Sequence, residues 1–198
     1  MQVRDYMRTD PVAVTWNNPV QRAKELMDEH RLGVLLVTDE DGVLAGFLTR
    51  RSVTKLTAEG QQEALDRPIQ EVVSSHQVSV EVTDPIEKAA LLIQEHGLIV
   101  LPILDAGKLV GILTQSDISR AFAEMIGIRE GGTRITIKLR SPEDLYQVTR
   151  VFEIFGVEII SITRDGNDAD FNRVTIRAKG IQDEDKQPLK EQLEEVLQ

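Results

Sequence analysis

At 198 residues, with 41% apolar and 28% charged side chains, the chain has apolar material for one ordinary domain or two small ones. The absence of cysteine excludes a disulfide framework, a thiolate metal site and a cysteine nucleophile. A formal net charge of −10 argues against a binder of nucleic-acid backbone, which normally shows a basic face, and no apolar run reaches membrane-spanning length. The N-terminus, Met1-Gln2-Val3-Arg4-Asp5, lacks the apolar core of a signal peptide, which points to a cytoplasmic protein.

A leading segment, Val3 to Arg8, precedes a short strand around Val12 to Thr15. Asn18 is expected to cap a helix with Pro19 at its first position, and Val20, Ala23, Leu26 and Met27 fall on one face. Lys55 to Asp66, polar and holding Gly60, Gln61 and Gln62, reads as a surface connection with one helical turn. Asp84 caps the next helix, with Pro85 after it and a buried stripe of Ile86, Ala89, Ala90, Leu92 and Ile93. An apolar strand, Leu98 to Leu104, and a turn, Asp105-Ala106-Gly107-Lys108, lead into Gly111-Ile112-Leu113-Thr114-Gln115-Ser116-Asp117 and a helix, Ile118 to Met125. His30 and His96 stand at helix C-termini, where a His interacts favourably with the dipole, and His76 has no evident partner.

Three glycines in the seven residues 127–133 mark a hinge. Beyond it, Ile135 to Leu139 alternates as a strand does, and Ser141-Pro142-Glu143-Asp144 opens a helix with Leu145, Val148, Val151, Phe152 and Phe155 as its stripe. Val157 to Thr163 reads as a strand, Gly166-Asn167-Asp168 as a turn, Phe171 to Ala178 as a third strand and Pro188 to Leu197 as a last helix.

The first 126 residues repeat internally. Val12-Ala13-Val14, Asn17-Asn18-Pro19, Leu26 to His30, Val34-Leu35 and Asp39 recur 66 positions later as Val78-Ser79-Val80, Thr83-Asp84-Pro85, Leu92 to His96, Val100-Leu101 and Asp105. Gly46-Phe47-Leu48-Thr49-Arg50-Arg51-Ser52 matches Gly111 to Asp117 after a loop one residue shorter. Units of this size bury little core alone but can pair into one. The strand-to-helix turn also carries chemistry. A helix N-terminus suits an anion, and a carboxylate there can accept hydrogen bonds from both hydroxyls of a vicinal diol. A Ser or Asp in this place is also an ordinary N-cap.

Each copy resembles a CBS domain, the β-α-β-β-α module that pairs as a Bateman module and binds adenosine-containing ligands between its copies. The β-α-β-β-α order of the last segment resembles an ACT domain, a ferredoxin-like regulatory module, without its final strand. The expected fold is therefore α/β (α+β): CBS repeats at 1–60 and 61–126, a hinge at 127–133 and an ACT-like domain at 134–198. A CBS pair followed by an ACT domain resembles the acetoin-utilisation B-type proteins.

The resemblance implies a ribose held by Asp117, with Thr114, Ser116 and Ile112 beside it and Val12 against the base. In the other cleft Ser52 stands where the family has Asp, Thr49 is kept, and Arg50 and Arg51 lie between them, to meet phosphates or be solvated. Apolar residues, Gly33-Val34 and Ile99-Val100, replace the basic or polar residue that many members place near the phosphates. Among AMP, ADP, ATP and S-adenosylmethionine, that favours AMP or S-adenosylmethionine. Where ACT domains carry Pro-Gly-x-Leu this chain has Pro142-Glu143-Asp144-Leu145, which argues against amino-acid binding and leaves dimerisation. The expectation is a non-catalytic homodimeric sensor in which an adenosyl ligand allosterically shifts the ACT domain arrangement. The alternative is an assembly subunit with vestigial clefts. No Ser-His-Asp ordering, metal-spaced cluster or Gly-rich phosphate loop supports an enzyme.

Overall fold

The computed structural model describes residues 1–58, 62–75, 78–164 and 173–197. His76, Gly60, Gln61, the turn at Gly166-Asn167-Asp168 and the start of the third strand at Phe171 lie outside them. The chain forms two compact units, Met1–Ser119 and Arg120–Gln198.

In the first unit the order is β1 (Arg8–Thr9), β2 (Ala13–Thr15), α1 (Val20–Glu29), β3 (Val34–Thr38), β4 (Leu44–Thr49), α2 (Arg50–Ala58) and α3 (Gln62–Asp66). The second copy follows as β5 (Val80–Glu81), α4 (Ile86–His96), β6 (Val100–Asp105), β7 (Lys108–Thr114) and α5 (Gln115–Met125), the last crossing into the second unit. β2 and β3 are parallel, so a crossover helix must join them, and α1 does so; α4 does the same for β5 and β6. The sheets run β2-β3-β4 and β1-β7-β6-β5. Val20, Ala23 and Met27 of α1 pack on Leu35, Val37 and Leu48 of the first sheet, burying the expected helical stripe.

The two copies exchange their leading segments. Val3 N–H donates to the Asp84 carbonyl at 2.9 Å and Arg4 N–H to the Val82 carbonyl, while Ile69 N–H donates to Asn18 and Gln70 N–H to Trp16. Further along, Arg8 pairs with Ile112 and Thr9 with Gly111, and Ser74 forms the matching bridge to Phe47. Each copy thus satisfies backbone groups of the other. The glycines of the repeated motif make room for this crossing. A Cβ on Gly46 would sit 2.2 Å from the Ser74 carbonyl oxygen, and one on Gly111 would sit 2.9 Å from that of Arg8.

Three expectations change. The prolines themselves stand in extended conformation before α1 and α4, so each helix starts one residue later than predicted. Asn18 instead donates to the Thr15 carbonyl, and Asp84 accepts from Glu81 N–H and Lys88. The stretch from Lys55 to Asp66 is more than a surface connection: α2 runs to Ala58, and α3 sinks Ala64 and Leu65 to 2% and 6% exposure. Finally, α5 begins at Gln115, which places Asp117 inside its first turn.

The second unit comprises β8 (Thr133–Lys138), α6 (Pro142–Ile154), β9 (Glu158–Arg164), β10 (Arg173–Lys179) and α7 (Lys186–Val196). Its antiparallel sheet runs β8-β10-β9, the order of a ferredoxin-like unit whose fourth strand would lie beside β8. Both helices pack on one face: Val148, Val151 and Phe152 of α6 and Leu189 and Leu193 of α7 share a core with Ile137, Val174 and Ile176. Two of the three glycines expected as a hinge are packed close, whereas Gly131 has open space around it. A Cβ on Gly127 would lie 2.2 Å from Ile160, and one on Gly132 would lie 2.4 Å from the Ala178 carbonyl oxygen.

Candidate functional site

The site is built at the junction of β7 and α5, where the strand's backbone donors give way to unpaired helical N–H groups. Thr114 ends β7 and Asp117, three residues on, reaches back to it. The carboxylate accepts the Thr114 N–H at 3.0 Å and the Thr114 hydroxyl at 2.6 Å, the N3 half of a capping box. The Ser116 hydroxyl lies 2.8 Å from that of Thr114.

Arg8, which sequence reasoning passed over, completes the group. The exchanged strand β1 lays it beside Ile112, and its Nε donates to both Asp117 oxygens at 3.2 Å while Nη2 donates to one of them at 3.2 Å. Asp117 is 1% exposed and Arg8 57%. Burial pushes the Asp117 carboxyl up, but hydrogen bonds from Thr114 and Arg8 outweigh it and hold the group below the ordinary carboxylate range. The site therefore presents an ionised carboxylate that the solvent-facing Arg8 guanidinium covers in part. A diol reaching that carboxylate competes with Arg8.

The equivalent position in the first copy keeps the cap and loses the charge. Ser52 accepts the Thr49 N–H at 3.1 Å, and Ser52 N–H donates to the Thr49 hydroxyl at 3.1 Å. Where Arg8 stands in one copy the other has Ser74, so a charged pair at one junction faces two hydroxyl residues at its counterpart. The repeat offset itself was the available signal for Arg8. Arg50 is committed to the fold: it pairs with Asp28 and donates to the carbonyls of Met27 and Leu32 at the end of α1. The Arg51 side chain is exposed.

Asp117, Thr114, Ser116 and Ile112 are thus brought together with Arg8, whereas Val12 packs against the first copy's core and Thr49 and Arg51 lie at the other junction. A cavity of about 300 Å³ opens between the copies on that other side, lined by Val34, Gly46, Phe47, Val78, His96 and Ile99 among others. Its size is at the lower end for small-molecule sites, and its walls are apolar, as a base requires. Among the described residues no three His, Asp or Glu side chains are placed to hold a metal, and no helix is long and apolar enough to cross a membrane.

In the second unit, the turn between β8 and α6 is capped from within. The Asp144 carboxylate accepts the N–H groups of Arg140 at 2.7 Å and Ser141 at 3.3 Å.

The chain belongs to the CBS domain family, whose signature matches residues 3–59 and 69–124. It is 36% identical over 118 residues to the CBS domain-containing protein YhcV of Bacillus subtilis, covering 59% of this chain and 82% of that protein. Among solved structures it is similar to an acetoin utilization protein, AcuB, from Vibrio cholerae, with TM-score 0.58 and 25% identity, over 66% of this chain and 96% of that one. CBSX2 in complex with AMP superimposes with TM-score 0.54 and 27% identity over 62% of this chain and 96% of that one. The CBS pair of MJ0100, bound to 5′-methylthioadenosine and S-adenosyl-L-methionine, does so with TM-score 0.52 and 25% identity over 63% and 97%. An L-aspartate semialdehyde sulfurtransferase from Methanocaldococcus jannaschii also matches at 25% identity over 61% of this chain, but the chain spans only 23% of that enzyme's length.

Proposed function

We propose that this protein is a non-catalytic regulatory subunit whose CBS pair binds one adenosyl ligand per chain, with the ribose on Asp117. The observation that carries the reading is the buried, ionised Asp117 at the head of α5, anchored by Thr114 and paired with the exposed side chain of Arg8. Similar CBS pairs hold AMP or S-adenosylmethionine, which have the diol this carboxylate suits. Ser116 and Ile112 flank the ribose in this reading, and Val12 lies toward the base. The second unit acts as an ACT-like element that the ligand biases by binding one arrangement better than another. Its open edge β8, beside a groove of about 460 Å³ against α7, suits pairing with a second copy, so the working form is a homodimer in the cytoplasm, and light scattering should give a dimer mass.

A second reading has its own support. The cavity is lined by Gly46 and Phe47 of β4, the strand that ends at Thr49, so in this reading the base enters there and Thr49 and Arg51 take the polar end. Calorimetry with AMP and S-adenosylmethionine separates the two. One site per chain, weakened about tenfold or more in Asp117→Asn, supports the first reading, because a charged hydrogen bond is worth about 1.5–3 kcal/mol. Binding untouched by Asp117→Asn moves the ligand to the Ser52 cleft. No heat with either compound leaves an assembly subunit with vestigial clefts.

A further inference from the structure

The second unit carries a feature that neither clefts nor dimerisation use. Its helices cover one face of the three-stranded sheet, and on the opposite face Arg134 of β8 and Arg177 of β10 stand directly across from each other. Like charges directly opposite in a sheet repel and destabilise the pair. Arg173 opposite Lys138 repeats the pattern four residues along each strand, past Thr175 and Thr136. Neither Arg134 nor Arg177 has a carboxylate partner among the described residues, in a protein of net charge −10.

The two arginines do not simply splay into water. They line a hollow of about 150 Å³ with Ile126, Ser161, Thr163 and Thr175. Thr175 is only 9% exposed; its hydroxyl accepts from Arg134 Nη2 at 3.4 Å and lies 3.1 Å from that of Thr136. Arg177 donates to the Gly131 carbonyl at 3.2 Å, and its stem passes where a Cβ on Gly127 would come within 3.4 Å. The hydroxyls of Ser161 and Thr163 donate to the carbonyls of Ile126 and Thr175. The remaining donors at the hollow therefore belong to the two guanidiniums, each with five N–H groups and one used as above.

We propose that this hollow is an anion site that takes the phosphate group of a small phosphorylated molecule, clamped between Arg134 and Arg177. A phosphate relieves the cross-strand repulsion and accepts from both planar forks at once, which a point charge such as chloride does not.

The test is a titration of the full-length protein with inorganic phosphate at constant ionic strength, read by backbone amide shifts. The expected result is saturable shifts confined to residues around Arg134, Ser161, Thr175 and Arg177, with none on matched chloride. Arg134→Gln and Arg177→Gln should each weaken the response about tenfold, Arg177→Lys less, and the double variant should abolish it. The variants' own amide spectra report that the sheet is intact. Adenosine should leave these amides unmoved. AMP should move them in Asp117→Asn as it does in the wild type, which separates this site from the CBS pair. Shifts that fail to saturate, or that survive in the double variant, overturn the assignment.

Discussion

Arg8 and a ribose compete for the same carboxylate, and that competition fixes the sign of one measurement. Arg8→Gln keeps a polar side chain on β1 but shortens it and removes the charge and the two-nitrogen grip on Asp117. Asp117 is buried, but Arg8 is 57% exposed, so the pair belongs with solvent-screened ion pairs worth roughly 0.2–1 kcal/mol. A ligand that must displace Arg8 forgoes that amount; removing Arg8 returns it. Adenosine is the suitable probe because it brings the diol without a phosphate that Arg8 could otherwise meet. Its affinity for Arg8→Gln, measured by calorimetry, should be about two- to fivefold tighter than for the wild type. The variant should unfold at slightly lower urea concentration, by less than about 1 kcal/mol. Adenosine binding that is unchanged or weaker in Arg8→Gln refutes the competition and makes Arg8 a bystander or a ligand contact.

Two further outcomes follow from the same geometry. Gly46→Ala drives a methyl to 2.2 Å from the Ser74 carbonyl oxygen, whereas Gly111→Ala meets Arg8 backbone and the adaptable Met7 side chain at 2.9 Å, so urea midpoints should fall more for Gly46→Ala, by about 1–3 kcal/mol or above. Neither glycine has positive φ, so equal stability in both variants would mean the crossing segment is free to move away. Burial raises the Asp117 carboxyl, but Thr114 and Arg8 outweigh it and the pKa is depressed in the folded protein. A depressed carboxyl stabilises above its unfolded pKa and loses that contribution as pH falls through the folded value. The stability gap between wild type and Asp117→Asn should therefore be present at neutral pH and close in acid, below about pH 4; a gap that persists there contradicts the assignment.

Much of this was legible before any coordinates. Periodicity located the faces of α1, α4 and α6 because those stripes are core, and core patterning depends only on local spacing. The repeat located both junctions, since a 66-residue offset aligns Thr49 with Thr114 and Ser52 with Asp117 once one loop residue is dropped. What escaped was what depends on long-range crossing. Arg8 lies 109 residues from Asp117, and no local pattern brings β1 to β7. The motif glycines gave no local sign that they admit another copy's backbone. α3 was masked by its polar composition, because two buried side chains in a five-residue helix give no periodic signal.

The two junctions differ by a matched pair of substitutions, and that match can be tested as a unit. Asp117 with Arg8 at one junction stands against Ser52 with Ser74 at the other, on equivalent elements. Introducing the carboxylate alone with Ser52→Asp places a charge at a half-buried helix head, with the Thr49 N–H beside it but Ser74 where the Asp117 carboxylate has Arg8. Ser74→Arg alone adds an exposed cation with little effect. If the pairing is a property of the crossing segments, the double variant should recover more than the sum of the single changes, by about 0.5–3 kcal/mol in a double-mutant cycle. The carboxylate should also give the first junction a diol acceptor, so adenosine should then bind a second site per chain beside the described cavity. Additive stabilities would show that the two junctions are not equivalent in geometry. A second site without recovery of stability would show instead that Ser52→Asp suffices and that Arg8 serves the first site for a reason other than charge balance.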